Sequence, residues 1–337
     1  MNNMNKIKYF VAVIWLSFSI MPNTNAVVLT VGGTSAKNTA GEQKWIAFEQ
    51  NVIKGSNNEL SPRMLIYGEL GPEENLVNGI RRNRIHVANW SGLATTTVVP
   101  EMALLYAPFL FDNYDEADFI MDNYLFDIYA QLLAEKDIHL IQWDEIGFNQ
   151  IYGHMPYPNP KLMKGKRFRT SSSLSAQLFA EAIGADAIPL GYTDIITGLQ
   201  TSLVEAGENA IIMYVPTGIA SEAEHLTLTN HSYATSIIVM RKSWLDSLKP
   251  QHKKVLISAY VGLDESRAAT RAEWRSFLDS NSKWNFNTHT ITNKERDLWK
   301  EVSQPVSQRL IDKIGGASSL IWDRVQEGKK AFAASQL

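Results

Sequence analysis

Hydrophobic positions along the chain switch between the two-residue spacing of strands and the 3.6-residue spacing of helices. Between residues 27 and 90, short apolar runs alternate with longer segments whose apolar residues fall on one helical face. The pattern predicts strands at 27–31, 64–67 and 85–90 and helices at 41–53 and 73–81. A β-α-β-α-β opening of this kind is typical of an open α/β sheet with helices on its faces.

The middle of the chain contains the clearest helix, at 114–135, where nine apolar residues fall at the spacings of one helical face. A buried strand at 138–143 and an extended segment at 146–152 follow. The extended segment is the expected first crossing between two lobes. Further along, the pattern predicts strands at 167–170, 187–190, 236–240 and 284–290, a helix ending at 183, a long helical region at 250–280 and two terminal helices.

The N-terminal segment has the pattern of a secretory signal peptide. Two lysines precede an apolar run at 9–21, Pro22 ends that run, and the small residues Thr24 and Ala26 favour cleavage after Ala26. A membrane anchor is the alternative, but the run is shorter than the roughly 20 residues that span a bilayer. We therefore expect the mature chain to begin at Val27 and to reside in the periplasm.

Composition then excludes several classes of protein. The chain has 337 residues, no cysteine, 45% hydrophobic and 20% charged residues, which are ordinary globular proportions. Without cysteine there are no disulfides, thiolate nucleophiles or thiolate metal sites. Loss of the two leader lysines changes the formal charge from −3 to −5, spread along the chain, so we expect no nucleic-acid partner. The remaining 311 residues (337 minus 26) suggest two lobes.

One arginine is a candidate for ligand binding. Arg169 stands near the end of the strand predicted at 167–170, and its planar fork matches a carboxylate with two parallel hydrogen bonds. The alternative is an exposed salt bridge, which contributes little to stability. Taken alone, Arg169 fits the exposed salt bridge better, and only the motifs elsewhere in the chain reverse this preference.

Five short motifs occur in order along the mature chain. They are Leu70-Gly71-Pro72-Glu73, Pro108 to Phe111, Gly165 to Arg169, the paired segments Gly198 to Gln200 and Val204 to Asn209, and Leu228 to His231. Together they resemble the solute-binding protein of tripartite ATP-independent periplasmic (TRAP) transporters, of the dicarboxylate-binding DctP type. The resemblance covers nearly the whole mature chain. It departs from the family pattern at Arg167, where lysine is usual, and at Glu205 and Ala206.

The resemblance implies a fold and a set of partners. The fold is α/β, a two-lobed periplasmic binding protein with a hinge and a long helix that spans both lobes. Lobe I is expected at 27–146 with about 235–275, and lobe II at 147–234 with about 276–337. The hinge is expected near 146–149 and 232–236. The TRAP membrane permease subunits would accept the closed, loaded protein.

The resemblance also implies roles for particular residues. Arg169 corresponds to the arginine that clamps the substrate carboxylate, Asn209 to an amide that binds the same group, and Tyr192 to an aromatic wall. Asn149 stands where relatives that bind acids with two anionic or strongly polar ends often carry a second arginine. Because an amide cannot act as a bidentate cation, we expect the ligand to be a small organic acid with one carboxylate.

Other residues near the predicted cleft are weaker candidates. Ser91 and Trp90 end a strand of the first lobe, and Trp143 stands beside the expected crossing. Tryptophan more often lies in a core than in a ligand wall. Asp144 and Glu145 could pair with an ammonium group of a ligand, but charged residues near a crossing are more commonly solvated or bound to their own lobe.

Two other functions remain open on the sequence. A binding protein of this fold could serve a membrane sensor kinase instead of a transporter. A secreted enzyme would need catalytic groups from distant positions, because the seven histidines form no paired metal motif and no Gly-x-Ser-x-Gly segment occurs. We expect no catalytic residues, no metal and no cofactor.

Overall fold

The computed structural model describes residues 26–336. Nine strands of that range form one mixed sheet, in the order β2-β1-β3-β8-β4-β7-β5-β6 with β9 paired to β8. The strands are β1 Val27–Gly32, β2 Leu60–Leu65, β3 Val87–Ser91, β4 Ile138–Gly153, β5 Arg167–Thr170, β6 Asp186–Pro189, β7 Ala206–Ala210, β8 His225–Arg241 and β9 Asn287–Thr290. The predicted signal peptide, apart from Ala26, lies outside the described residues.

Fifteen α-helices of the same range pack around the sheet. They are α1 Ala40–Gly55, α2 Glu73–Arg81, α3 Gly92–Thr95, α4 Tyr114–Ile120, α5 Phe126–Ala134, α6 Leu174–Ala182, α7 Ile195–Gln200, α8 Ile211–Tyr214, α9 Ile219–Glu222, α10 Lys242–Ser247, α11 Pro250–Ser258, α12 Leu263–Asp279, α13 Asn293–Ser303, α14 Pro305–Ile314 and α15 Ser318–Ser335. In residues 26–336 no helix combines the length and the apolar character needed to cross a bilayer.

Two long antiparallel strands, β4 and β8, join the halves of the sheet. The parallel strands β1, β2 and β3 lie beside β8 in lobe I, and the parallel strands β5, β6 and β7 lie beside β4 in lobe II. The β4–β8 ladder shifts register between Glu145 and Gly147 and again between Asn149 and Ile151. These irregularities fall where the sequence predicts the hinge, whose position stays a prediction. Gly147 has φ of 109°, which glycine tolerates best.

The sheet divides the core into layers. In lobe I, Trp90 belongs to an apolar cluster on one face of the sheet and Trp45 to a cluster on the other face. In lobe II, Tyr214 and Phe168 mark the corresponding two clusters. Each half of the sheet is therefore covered on both faces, as parallel strands require.

Helix α12 contacts both lobes. Its first turns carry Arg267, which is bonded to Asp122 next to α4. Its last turns place Trp274 and Phe277 against the apolar cluster of lobe II. This is the long helix spanning both lobes that the family resemblance implies. Polar contacts hold its N-terminal half and apolar contacts hold its C-terminal half.

The C-terminal helices depart from the predicted division into lobes. Ile321 and Val325 of α15 are buried in the apolar cluster that contains Trp90, and Val306 of α14 joins the same cluster. Helix α15 therefore packs on lobe I, whereas α14 lies between lobe I and helix α6 of lobe II, whose Leu178 belongs to the same cluster. The sequence instead places 276–337 in lobe II.

Several predicted elements also differ in extent. The helix expected at 114–135 is interrupted by a π-helical turn at Met121–Leu125. The two extended segments at 138–152 form the single strand β4, and β8 begins at His225 instead of 236. Three terminal helices, α13, α14 and α15, replace the predicted two.

Candidate ligand-binding site

Arg169 lies on β5, between β6 and β7, and only 6% of the residue is exposed. Its Nε and Nη2 atoms donate hydrogen bonds to the Leu190 carbonyl at 3.2 and 2.9 Å. These bonds fix the plane of the guanidinium. Within the described residues, Nη1 donates to no protein acceptor and stays available. A buried, oriented arginine with donors to spare suits the binding of a carboxylate.

Asn209 lies on β7, the strand beside Arg169. Arg169 pairs with Gly207, so Asn209, two residues further along β7, points to the same face of the sheet. The Asn209 Nδ2 group is buried and has no hydrogen-bond partner in the described part of the chain. Such a donor costs about 1–3 kcal/mol unless water or a ligand accepts from it. The structure thus places both predicted carboxylate donors on one face.

Tyr152 joins them, although the sequence did not indicate it. The residue lies on β4 opposite Gly207, and a Cβ at Gly207 would stand only 2.3 Å from the Tyr152 hydroxyl. The hydroxyl is buried and unpaired among residues 26–336. Burial raises the pKa of Tyr152 above its ordinary value, and the nearby charge of Arg169 acts in the opposite direction. The hydroxyl is therefore neutral at pH 7 and can donate to an anion.

Tyr192 forms part of the wall next to this face. It begins a 3-10 turn, Tyr192–Asp194, directly after β6, and its hydroxyl donates to the Met213 carbonyl at 2.8 Å. Burial raises the pKa of Tyr192 to about 12. With its hydroxyl already bonded, Tyr192 offers the flat ring and not a further donor. Its role as the aromatic wall that the resemblance implies stays a prediction.

Asn149 lies on the other face of the sheet. It pairs with Ala210 on β7 and therefore points the same way as Glu208 rather than Asn209. Together with Glu208, it lines a cavity of about 10 Å³ between the lobes, enough for about one water molecule. The cavity is closed on the lobe I side by Leu93, Tyr106 and Pro108 and completed by Ser173, Ser175, Ala176, Phe179, His231 and Ser232.

A buried hydrogen bond between a histidine and a carboxyl group borders this cavity. The His231 Nε2 atom and the Glu208 Oε2 atom are 2.5 Å apart, and the Thr229 hydroxyl lies 2.7 Å from His231 Nδ1. The ring of Phe179 stacks on the imidazole with centroids 4.4 Å apart. His231 thus has partners on both ring nitrogens, as a structural histidine does. In residues 26–336 no group of three or more potential ligands is arranged to hold a metal ion.

The three weaker candidates lie in lobe I, where the buried Trp90 indole nitrogen has no hydrogen-bond partner among residues 26–336. Ser91 caps α3, because its hydroxyl accepts from the Ala94 amide and donates to Glu73 Oε2 at 2.6 Å. Trp90 is fully buried and Trp143 is 1% exposed, both in the core of lobe I. The indole nitrogen of Trp143 donates to a backbone carbonyl at 3.3 Å. Capping and packing against the helical layer turn these side chains away from the Arg169 face, a correction to their predicted place in the pocket.

The two acidic candidates for an ammonium group are already paired. Asp144 Oδ1 accepts from Lys44 Nζ at 2.5 Å, and both side chains are nearly buried. Glu145 binds Arg271, whose Nη2 lies 2.5 Å from Glu145 Oε2. Both carboxylates therefore hold helices α1 and α12 on the sheet and leave no charge for a ligand.

The chain is similar to characterised solute-binding proteins. It is 26% identical over 218 residues, 63% of this chain and 65% of the other, to the 2,3-diketo-L-gulonate-binding periplasmic protein YiaO of Escherichia coli (strain K12). It is 23% identical over 220 residues, 64% of this chain and 66% of the other, to the C4-dicarboxylate-binding periplasmic protein DctP of Rhodobacter capsulatus.

A solved structure has the same fold. The sugar acid binding protein DctPAm from Advenella mimigardefordensis strain DPN7T, in complex with galactonate, superimposes with a TM-score of 0.83 at 24% identity, covering 90% of this chain and 99% of that chain. This likeness confirms the two-lobed α/β fold. The profile of the DctP family, described as bacterial extracellular solute-binding protein, family 7, matches residues 31–313. The chain therefore belongs to the DctP family of solute-binding proteins, the family that its five sequence motifs indicate.

Proposed function

We propose that this protein captures a small organic acid between its lobes and presents it to TRAP membrane permease subunits, without catalysing a reaction. The observation that carries the proposal is the Arg169 face. There, a buried and oriented guanidinium lies beside two buried donors, on Asn209 and Tyr152, that have no partner in the described chain. Groups of this kind are stable when an acceptor such as a carboxylate fills the space between them.

The ligand class follows from the charges available. Arg169 is the one cation on this face among the predicted site residues, and the groups beside it, on Asn209 and Tyr152, are neutral donors. We therefore assign the protein to acids with one carboxylate and a polar, uncharged body. Galactonate, bound by the structural relative, is such an acid. The name of the Escherichia coli relative also refers to a sugar acid.

Closure of the lobes follows from the same contacts. A ligand stabilises the closed form only as far as it binds that form more tightly than the open one. Shielding the ion pair between Arg169 and the carboxylate from water on closure supplies this difference. The periplasm, reached through a signal peptide cleaved after Ala26, is the proposed location.

A screen of the purified mature protein would test the function. Thermal shift and native mass spectrometry against sugar acids, other monocarboxylates and dicarboxylates should detect one ligand per chain, with galactonate above succinate. The neutral sugar galactose is the control, because it keeps the hydroxyl groups and lacks the carboxylate. Failure of every acid to bind, or equal binding of galactose, would refute the proposal.

The Tyr152 hydroxyl provides a sharper test of the site. Tyr152→Phe removes a buried group that has no partner in the described chain, so we expect unchanged or slightly higher stability, by up to about 1 kcal/mol. Acid binding should weaken about tenfold, the equivalent of one lost hydrogen bond. Isothermal titration calorimetry and thermal melting measure the two effects.

Tyr214 offers a matched control for this substitution. Its ring stacks on Tyr152 with centroids 5.8 Å apart, but its hydroxyl donates to the Ala223 carbonyl at 2.6 Å. Tyr214→Phe should therefore lower the melting temperature and leave affinity unchanged. If Tyr152→Phe behaved like Tyr214→Phe, the Tyr152 hydroxyl would have no part in the site.

Asn149→Arg tests whether the cavity beside Glu208 belongs to the acid site. Asn149 points to the same face as Glu208, opposite Arg169, so a cation there would pair with Glu208, and we expect the ratio of succinate to galactonate affinity to stay within about twofold of the wild-type value. Competition titrations measure this ratio. A rise of about fivefold, equivalent to about 1 kcal/mol, would show that the bound acid reaches Asn149.

A further inference from the structure

A groove on the outer edge of lobe I has a charge pattern that acid capture between the lobes does not explain. It lies between the edge strand β2 and helix α2 and has a volume of about 510 Å³. Thr30, Leu65, Leu70, Gly79 and Ile85 form its floor, and Arg63, Arg82, Arg84, Asn75 and Asn78 form its rim. None of these ten described residues is acidic. The groove therefore combines an apolar floor with a cationic rim.

The three arginines of the rim are exposed, and in the described part of the chain none of them forms an ion pair. Their positive charge contrasts with the net charge of −5 expected for the chain after loss of Lys6 and Lys8 (from −3). Three like charges around one depression repel each other, and a bound anion would relieve that repulsion.

Two of the three arginines each have a structural role of their own. Arg82 caps the C-terminal end of α2, where a cation interacts favourably with the helix dipole. Arg63 is a charged residue on an edge strand, which discourages pairing with another chain. Neither role explains why residues from β2 and from the segment after α2 converge on the same groove, or why two asparagine amides complete its rim.

The groove is distinct from the Arg169 site. In the sheet order, β2 and β5 are six strand spacings apart, which corresponds to about 29 Å at about 4.8 Å per spacing. A ligand held at the Arg169 face would not reach the groove. The two sites can therefore be tested separately.

We propose that this groove binds the phosphate group of an anionic ligand whose apolar part rests on the floor. One arginine can bind both oxygens of a carboxylate through two parallel hydrogen bonds, whereas a tetrahedral phosphate offers oxygens to several guanidinium groups at once. The Asn75 and Asn78 side chains add further amide groups around the same space. A free phosphate compound and a lipid headgroup both present this chemistry.

The test uses the mature protein and two probes at constant ionic strength. Inorganic phosphate is titrated by calorimetry with acetate as the singly charged reference, and phosphatidylcholine vesicles with and without 30% phosphatidylglycerol are used for cosedimentation. Phosphate binding points to a free compound, and sedimentation with the anionic vesicles alone points to a headgroup. Either result supports the proposal.

The decisive variant is Arg63→Gln with Arg82→Gln and Arg84→Gln, which should weaken binding of the responding probe at least tenfold. The matched control is Arg81→Gln, because Arg81 is an exposed neighbour that does not line the groove. Circular dichroism checks that both variants fold, and galactonate affinity should be the same in both. Binding of neither probe, or equal loss in the Arg81 control, would overturn the proposal.

Discussion

Replacing Arg169 with alanine is expected to weaken acid binding by at least a hundredfold. The guanidinium is buried and held in position by the Leu190 carbonyl. Two charge-assisted hydrogen bonds to a carboxylate are together worth about 3 to 6 kcal/mol in such a place. Arg169→Lys should lose nearly as much, because an ammonium group keeps the charge but cannot form the planar fork.

Arg167 supplies the matched control, since it lies two residues earlier on the same strand. Its side chain is 45% exposed and pairs with Glu205. Arg167→Lys should leave affinity within about twofold, because exposed ion pairs contribute little. Calorimetry measures affinity, and thermal melting shows whether the Arg169 variants stay folded. Equal affinity in wild type and Arg169→Ala would exclude the proposed carboxylate clamp.

The second large effect concerns stability. Arg271 on α12 binds Glu145 through Nε at 3.0 Å and through Nη2 at 2.5 Å, and Nη2 also lies 2.8 Å from Asp118 Oδ1. The Glu145 side chain is 1% exposed. Arg271→Leu would leave that carboxylate buried without its cation, so we expect the free energy of unfolding to fall by about 3 to 5 kcal/mol.

A double variant separates two contributions to this loss of stability. One is the lost attraction between Arg271 and Glu145, and the other is the cost of leaving the Glu145 carboxylate buried without a cation. Arg271→Leu combined with Glu145→Gln should recover at least half of the loss, because the remaining buried group is neutral. Arg275→Leu is the control on the next turn, where the arginine is exposed and stacks on Trp274; it should cost less than about 1 kcal/mol. Urea denaturation measures all three. A small loss for Arg271→Leu alone would show that water reaches Glu145.

Local sequence motifs are sufficient to predict two residues of the candidate site. Arg169 and Asn209 stand in ordered motifs, and the strand that carries Arg169 has its predicted bounds. Tyr152 could not be found in this way, because its role depends on the register that sets it opposite Gly207. Register describes how the residues of two strands are paired, so it cannot be predicted from the sequence of either strand alone.

Asn149 shows the same dependence on strand geometry. A shift of one residue along a strand moves a side chain to the opposite face. The sequence places Asn149 near Arg169 because the resemblance aligns it with a ligand residue. The pairing of β4 with β7 turns it toward Glu208 instead. Trp90 and Trp143 are likewise predicted near the ligand because of their positions along the chain. Whether such a side chain is buried in the core depends on the face of the sheet to which it points.

Two differences in element length also have physical causes. In the first half of β8 only Leu226 and Leu228 alternate with polar residues before the polar run at 229–232, so the apolar alternation is too short to indicate a strand, yet pairing with β4 and β9 satisfies its backbone. The helix at 114–135 keeps its apolar spacing through the π-helical turn. That turn also brings the Met121 carbonyl to the Trp143 indole nitrogen, a contact that no periodicity reveals.

The central position of β8 governs when the molecule can assemble. The half of the sheet formed by β1, β2 and β3 meets the half formed by β4, β5, β6 and β7 only through β8, which ends at Arg241. A chain that emerges N-terminus first therefore keeps both halves open at an edge until more than two thirds of its 337 residues have appeared. Late closure of the sheet leaves the edges of β3 and β4 without their β8 partner for most of the chain's synthesis.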